Sequence, residues 1–127
     1  MQEKHSFEYA VIRVVPRVER EEFVNVGVVL FCKAQKFLQT KWKLDEQRLK
    51  TLWNKFDTGT LRNYLEAFER VANGSKDGGD IAKLPQAERF RWLTATRSTV
   101  VQTSKVHPGL CVNAQDELEK LFAQLVA

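Results

Sequence analysis

The chain is poor in cysteine, proline and long apolar runs, and these shortages exclude several classes of protein. Its 127 residues include only two cysteines, too few for a disulfide scaffold, and Cys32 and Cys111 lack the spacing of a metal site. No apolar run approaches the ~20 residues of a membrane-spanning helix. The first residues, Met1 to His5, lack the basic-then-apolar layout of a signal peptide. We therefore expect a cytoplasmic protein with no cofactor, metal or membrane contact, and a flexible N-terminal tail over residues 1–6.

The chain does have enough apolar character for a folded core. A hydrophobic fraction of 43% is too high for a disordered protein, and the length suits one domain over residues 1–127. The net charge is +4, and it is unevenly placed. Residues 82–113 contain five basic residues and one acidic residue, whereas the rest of the chain contains fifteen of each. This basic segment is either a solvated face or an anion-facing surface.

The most apolar stretch is Phe23–Cys32, which has no charged residue and contains four valines. A run that is apolar on both faces predicts a strand at the centre of a sheet. Asn25 places an amide in this strand, and because a polar group in a core strand needs a polar partner, we expect Asn25 and Gly27 to lie close to the segment 97–109. Gly27 indicates either a bulge or the close approach of another group.

Three more strands are predicted around this one. Residues 7–15 alternate before a proline, although Arg13 lies among apolar neighbours and needs a partner if it is buried. Residues 37–43 form the next strand, whose lysines are typical of an exposed edge. Val100 and Val101 favour a fourth strand. The short connections between the first three strands predict an antiparallel meander.

Helical periodicity begins after Asp45, a candidate cap, and ends at Gly74. A third helix is expected between Pro85 and Leu93, and a last one after Asn113. The apolar stripes of these helices are interpreted as core, and they include Leu49, Leu52, Trp53, Phe56, Leu61, Tyr64, Leu65, Phe68, Phe90, Trp92, Leu118 and Leu121. We therefore predict an α+β fold, an antiparallel sheet of three to four strands covered by helices mainly on one face.

The segment 97–107 concentrates side chains that bind anions. Arg97, Ser98, Gln102 and His107 supply a guanidinium, a hydroxyl, an amide and an imidazole, which are groups that bind phosphate or carboxylate oxygens. The turn-like sequence from His107 to Gly109 is expected to hold the imidazole in place. In this hypothesis Arg97 and His107 bind the anion, and Ser98 and Gln102 orient it.

Three residues near the first two strands complete the predicted site. Arg13 and Asn25 are expected to reach the anion from the sheet, and Glu22 to fix an arginine. A structural alternative stays open, in which these polar groups satisfy one another and pin the basic segment to the sheet. In that alternative Arg97 forms a buried ion pair, for which Glu22 is a candidate partner.

Two blocks of the sequence resemble a bacterial family. The first block is Glu22-Phe23-Val24-Asn25-Val26-Gly27, with Tyr9 and Arg13 upstream, and the second is Phe90-Arg91-Trp92-Leu93 with Arg97-Ser98, Gln102, His107 and Gly109. Together they resemble the domain of unknown function family 3037 (DUF 3037) over nearly the whole chain. The resemblance implies a small cytoplasmic bacterial protein and supplies no reaction. It also implies a protein partner, because members of the family are often encoded beside HipA-like kinases.

Three functions remain open at this point. The favoured one is a non-enzymatic binding or regulatory module that recognises a protein partner or an anionic group. The second is nucleic-acid binding, because Phe90 and Trp92 are interleaved with basic residues. The third is a small enzyme that uses Arg97, Ser98 and His107, or a Cys111–His107 pair, although no supporting carboxylate is near in sequence.

Overall fold

The structure is a computed structural model that describes residues 3–16, 22–52, 57–97 and 99–126. Its strands are β1 (His5–Val14), β2 (Val24–Cys32), β3 (Phe37–Trp42), β4 (Val101–Thr103) and β5 (His107–Cys111). Its helices are α1 (Glu46–Leu52), α2 (Thr58–Asn73), α3 (Gln86–Leu93) and α4 (Ala114–Leu125), with single 3-10 turns at Lys76–Gly78 and Ile81–Lys83.

The strands form one antiparallel sheet in the order β3-β2-β1-β4, and β5 pairs with β1 beside β4. This confirms the α+β prediction, with five strands in place of three to four. The extra strand is β5, where a turn was expected at His107. His5 and Ser6, which were expected in a flexible tail, instead pair with Cys111 and Leu110. Backbone pairing between these distant segments overrides the local turn signal of a proline and a glycine.

A bulge in β2 explains the two unusual residues of the central strand. Ile12 pairs with Gly27 and Arg13 with Asn25, so Val26 is the extra residue between them. A Cβ at position 27 would lie 2.7 Å from the Lys41 carbonyl oxygen on β3. Gly27 therefore marks both a bulge and a close backbone approach, and each of the two expected readings is confirmed.

The sheet is covered on both faces, with three of the four helices on one side. Leu49 of α1, Leu65 of α2 and Phe90 of α3 join a core with Ala10, Ile12 and Val14 of β1, on what we call the three-helix face. On the opposite α4 face, α4 covers a second core, whose members include Phe7, Val28, Leu30, Cys32, Cys111 and Leu118. The prediction of helices mainly on one face is confirmed.

Local capping signals set the helix ends. The Asp45 carboxylate accepts a hydrogen bond from the Arg48 amide at 3.2 Å, and the Asn113 side chain accepts one from the Asp116 amide at 2.9 Å. Gly74 ends α2 in the left-handed conformation, with φ of 68°. Trp53 and Phe56, predicted in the first helical stripe, lie outside the described residues.

Ser104 joins β4 to β5 along the same edge of β1. Its amide donates to the Val11 carbonyl at 2.8 Å, and its hydroxyl accepts from the Val11 amide at 2.9 Å. In a regular antiparallel ladder the Val11 amide would donate to the Ser104 carbonyl. Here the Ser104 hydroxyl takes the place of that carbonyl, at the point where the chain passes from β4 to β5. This serine is 7% exposed, and its contacts hold the junction of β4 and β5 against β1.

Candidate functional site

A groove of about 520 Å³ lies on the three-helix face, between α2, α3 and β4. Its apolar lining includes Phe68, Leu93 and Val101. Two aromatic side chains that also line it are unusually exposed, Tyr64 at 52% and Trp92 at 40%. Pockets of this volume bind small ligands or a few side chains of a partner.

Arg97 lies at this groove and is held against Trp92. The guanidinium carbon lies 4.1 Å from the centre of the Trp92 ring, and Nη2 donates to the Trp92 carbonyl oxygen. No described carboxylate forms an ion pair with Arg97, so the expected alternative of a buried pair with Glu22 is wrong. Stacking fixes the plane of the guanidinium and leaves its other N–H groups for a ligand. Arg70 and Asp77 also line the groove.

Gln102 lines the groove, although its side chain leaves β4 on the opposite face of the sheet. Its side-chain amide donates to the Thr99 carbonyl at 2.8 Å, and both residues line the groove. On β4 it pairs with Arg13 of β1, so its side chain starts on the α4 face of the sheet. Gln102 is thus the one predicted site residue, besides Arg97, that the structure places at the groove among the described residues.

Arg13 lies on the opposite side of the sheet from the groove. Its neighbours in β1, Ile12 and Val14, point into the three-helix core, so Arg13 points to the α4 face. Its guanidinium carbon lies 4.1 Å from the centre of the Phe23 ring, which is 47% exposed. Arg13 was predicted to need a partner if buried, and its partner in the structure is the aromatic ring of Phe23. Among the described residues its Nε has no hydrogen-bond acceptor.

Asn25 finds its polar partner in α4. Its Nδ2 donates to the Leu125 carbonyl at 3.2 Å, which ties the centre of the sheet to the last turn of the last helix. No described residue of 97–109 supplies this partner, because β1 lies between β2 and β4, although Gln102 is only two strand spacings from Asn25, roughly 10 Å. Asn25 and Gln102 flank Arg13 on either side, so these three predicted residues form a row across the sheet.

His107 is placed away from Arg97. It pairs with Tyr9 on β1, and the two ring centres are 5.3 Å apart. Tyr9 and Arg13 are four residues apart on one strand, about 13 Å at the usual rise, so His107 lies well along the sheet from the Gln102 row. Glu22 is exposed just before β2. Ser98 lies outside the described residues, so its predicted role stays a prediction.

The surroundings of Cys111 do not favour a cysteine nucleophile. Burial and the neighbouring Cys32 raise the pKa of the Cys111 thiol to about 11, so it stays protonated near neutral pH, the opposite of what a nucleophile needs. Among the described residues, no three histidine, cysteine or acidic side chains cluster as metal ligands. Within the same residues, no helix has the length and apolar character to cross a membrane.

The groove contains residues that the sequence interpretation assigned to the core. Phe90 is 3% exposed as predicted, but Trp92 is exposed, because residues two apart on a helix face different sides. That spacing was the signal that could have found Trp92. Tyr64 precedes the buried Leu65 and lies at the margin of the α2 stripe, where periodicity alone does not decide exposure.

Comparison with known proteins gives one result. No curated protein and no solved structure matches the chain significantly. The family model described as "Protein of unknown function (DUF3037)" matches residues 9–126, from β1 through α4, and so includes the groove, the Arg13 row and the bulge. The resemblance of the two sequence blocks is confirmed, and the chain belongs to the DUF3037 family.

Proposed function

We propose that this protein is a non-enzymatic, cytoplasmic binding module that recognises an anionic group of a partner protein in the groove between α2, α3 and β4. The observation that carries the proposal is Arg97, stacked on the exposed Trp92 at an apolar groove with no described carboxylate paired to it. Arginine in this state is suited to a carboxylate or a phosphate, which accept two parallel N–H groups.

The apolar lining strengthens this recognition in two ways. Charge–charge attraction grows as water is displaced from the groove, because the local dielectric constant falls. Apolar groups of the partner beside its anionic group gain from burial against Phe68 and Val101. The arginine is already held in place by Trp92, so less side-chain freedom is lost on binding.

The partner to test first follows from the family resemblance. It suggests a HipA-like kinase encoded beside the protein, and an acidic or phosphorylated segment of such a kinase has the chemistry that the groove would bind. The excess positive charge of residues 82–113 supports an acidic partner, because it would speed the encounter between the two proteins.

Nucleic-acid binding is the second candidate, and one observation favours it. An exposed tryptophan with an arginine on its ring is also a platform on which a nucleotide base can stack. Its signature is an affinity for single-stranded DNA or RNA that falls steeply with salt concentration. Titrations at low salt with single- and double-stranded DNA and RNA separate the two candidates.

The test is binding of the purified neighbouring HipA-like kinase, measured by calorimetry, with Arg97→Ala, Arg97→Lys and Trp92→Ala. Loss of charge-assisted hydrogen bonds should weaken binding about 10- to 100-fold for Arg97→Ala, and Arg97→Lys should recover only part of it. Arg62→Ala is the matched control, because Arg62 lies 5.8 Å from the Trp42 ring and does not line the groove.

The outcome also depends on folding, which melting curves monitor. Arg97 is only partly buried and has no ion pair among the described residues, so Arg97→Ala should cost ~1 kcal/mol or less of stability. Equal affinities of Arg97→Ala, Arg62→Ala and the wild type would refute the groove as the site. A large loss of stability in Arg97→Ala would instead assign this arginine to the fold.

A further inference from the structure

We infer that the partner binds as an extended segment that adds a strand to the outer edge of β4, with acidic side chains in its sequence. This inference rests on the proposed function, since it specifies how the anionic partner occupies the same groove. It starts from the sheet order, in which β4 pairs only with β1 among the described strands and so ends the sheet on that side.

The hydrogen-bond pattern shows which groups of β4 face outward. The Val15 amide donates to Val100, and the Ser104 amide donates to Val11, so even-numbered residues 100, 102 and 104 direct their main-chain groups towards β1. The intervening Val101 and Thr103 must direct their main-chain N–H and C=O groups away from β1. These groups form the open edge to which a further strand would bind.

This edge opens into the groove. Side chains alternate between the faces of a strand, yet three consecutive residues, Val101, Gln102 and Thr103, all line the groove. The groove therefore runs along β4 itself. An extended peptide would donate to and accept from Val101 and Thr103 while its side chains enter pockets on alternate positions, the usual mode of strand addition. The Val101 carbonyl accepts a hydrogen bond from the Thr99 hydroxyl, and this hydroxyl would rotate away when a peptide amide binds the carbonyl.

The side chains on the two faces of β4 specify the partner's chemistry. On the three-helix face an added strand would meet Arg97 on Trp92, and on the α4 face it would lie beside Gln102, which separates it from Arg13. Successive side chains of an extended segment point to opposite faces, so acidic residues of one parity would meet Arg97 and the residues between them would lie beside Gln102. Apolar residues pointing to the three-helix face would pack on Phe68 and Val101. The best occupant is thus an extended segment with acidic and apolar residues.

The decisive variant is Thr103→Pro. Proline at this position removes only an outward N–H group and spares the bonds of Gln102 and Ser104 to β1, which is the place where edge strands tolerate proline. Thr103→Val is the matched control, because it keeps the amide and removes the hydroxyl. Melting curves should place both variants within a few degrees of the wild type.

The probe is a displayed library of short peptides with acidic and apolar residues, selected on the wild type and counter-selected on Arg97→Ala. If the inference holds, selected peptides bind Thr103→Pro about tenfold or more weakly than they bind Thr103→Val, because only the valine variant keeps the main-chain amide. N-methylation of single peptide amides should weaken binding only at every second position, because alternate amides of an added strand point towards β4.

The outcomes separate the two levels of the proposal. Peptides that need Arg97 but bind Thr103→Pro as tightly as the wild type would overturn strand addition and leave the groove as an anion site. A library that yields no Arg97-dependent peptide would overturn the proposed function, and the inference with it. Peptides that lose affinity for Thr103→Pro and for Arg97→Ala alike support both.

Discussion

Ser104→Ala tests whether a single hydroxyl holds β4 and β5 against β1. In the wild type this hydroxyl accepts from the Val11 amide at 2.9 Å and donates to the Lys105 carbonyl at 2.9 Å. Alanine fills nearly the same space, so the change removes two hydrogen bonds without creating a large cavity. The Val11 amide would then lie in the interior, since Val11 is only 5% exposed and β1 is paired on both sides.

The expected cost follows from that stranded amide. A buried donor that loses its acceptor costs ~1–3 kcal/mol, more than the net value of an ordinary hydrogen bond. For a chain of 127 residues, a loss of ~2 kcal/mol corresponds to a fall in melting temperature of roughly 6–10 °C. Urea unfolding followed by circular dichroism measures the free energy, and hydrogen exchange reports on the Val11 amide directly.

Ser6→Ala is the matched control, because Ser6 is an exposed serine on β1, the strand that contains Val11. It should change the free energy of unfolding by less than ~0.5 kcal/mol. If Ser104→Ala is as mild as Ser6→Ala and the Val11 amide exchanges no faster, then the hydroxyl does not anchor the two strands and the reasoning is refuted.

Three further predictions concern other parts of the fold. Gly27→Ala should cost ~3 kcal/mol, because its Cβ would meet the Lys41 carbonyl at 2.7 Å, whereas Gly59→Ala, with 3.4 Å to its nearest neighbour, should be neutral or stabilising in urea unfolding. Asn113→Ala should cost ~1 kcal/mol through loss of the α4 cap, and equal melting temperatures would contradict it. The free energy of unfolding should fall between pH 9 and about 11, because the Cys111 thiol ionises at a lower pH in the unfolded chain than in the folded protein. Cys111→Ala should reduce this fall, as measured by urea unfolding at several pH values across the range.

Much of the fold is set by patterns within short stretches of sequence. The apolar run around Gly27 predicts the central strand and its irregularity, and the helical period with Asp45, Gly74 and Asn113 predicts the helices and their ends. These features depend on neighbours within a few residues along the chain, so the sequence displays them directly.

Only the tertiary structure decides the features that join distant segments. Residues 107–111 have the composition of a turn, and they form β5 because residues 5–9 provide a pairing partner about a hundred positions earlier. Gly109 is there for close packing, since a Cβ would lie 2.5 Å from the Phe7 ring. The side-chain NH2 group of Asn25 donates to the carbonyl of Leu125, again 100 residues away. No local pattern encodes these partners.

The candidate site divides in the same way. Residue type alone marks Arg97 and Gln102 as anion-binding side chains, because a guanidinium and an amide are visible in the sequence. The exposure of Trp92, the absence of a described ion pair at Arg97, and the sheet lying between Arg13 and the groove depend on how helices and strands pack. The sequence shows which chemical groups the side chains carry. Which of these groups lie close together is decided only when hydrophobic burial and backbone pairing bring distant segments into contact, and this determines which predicted residues share a site.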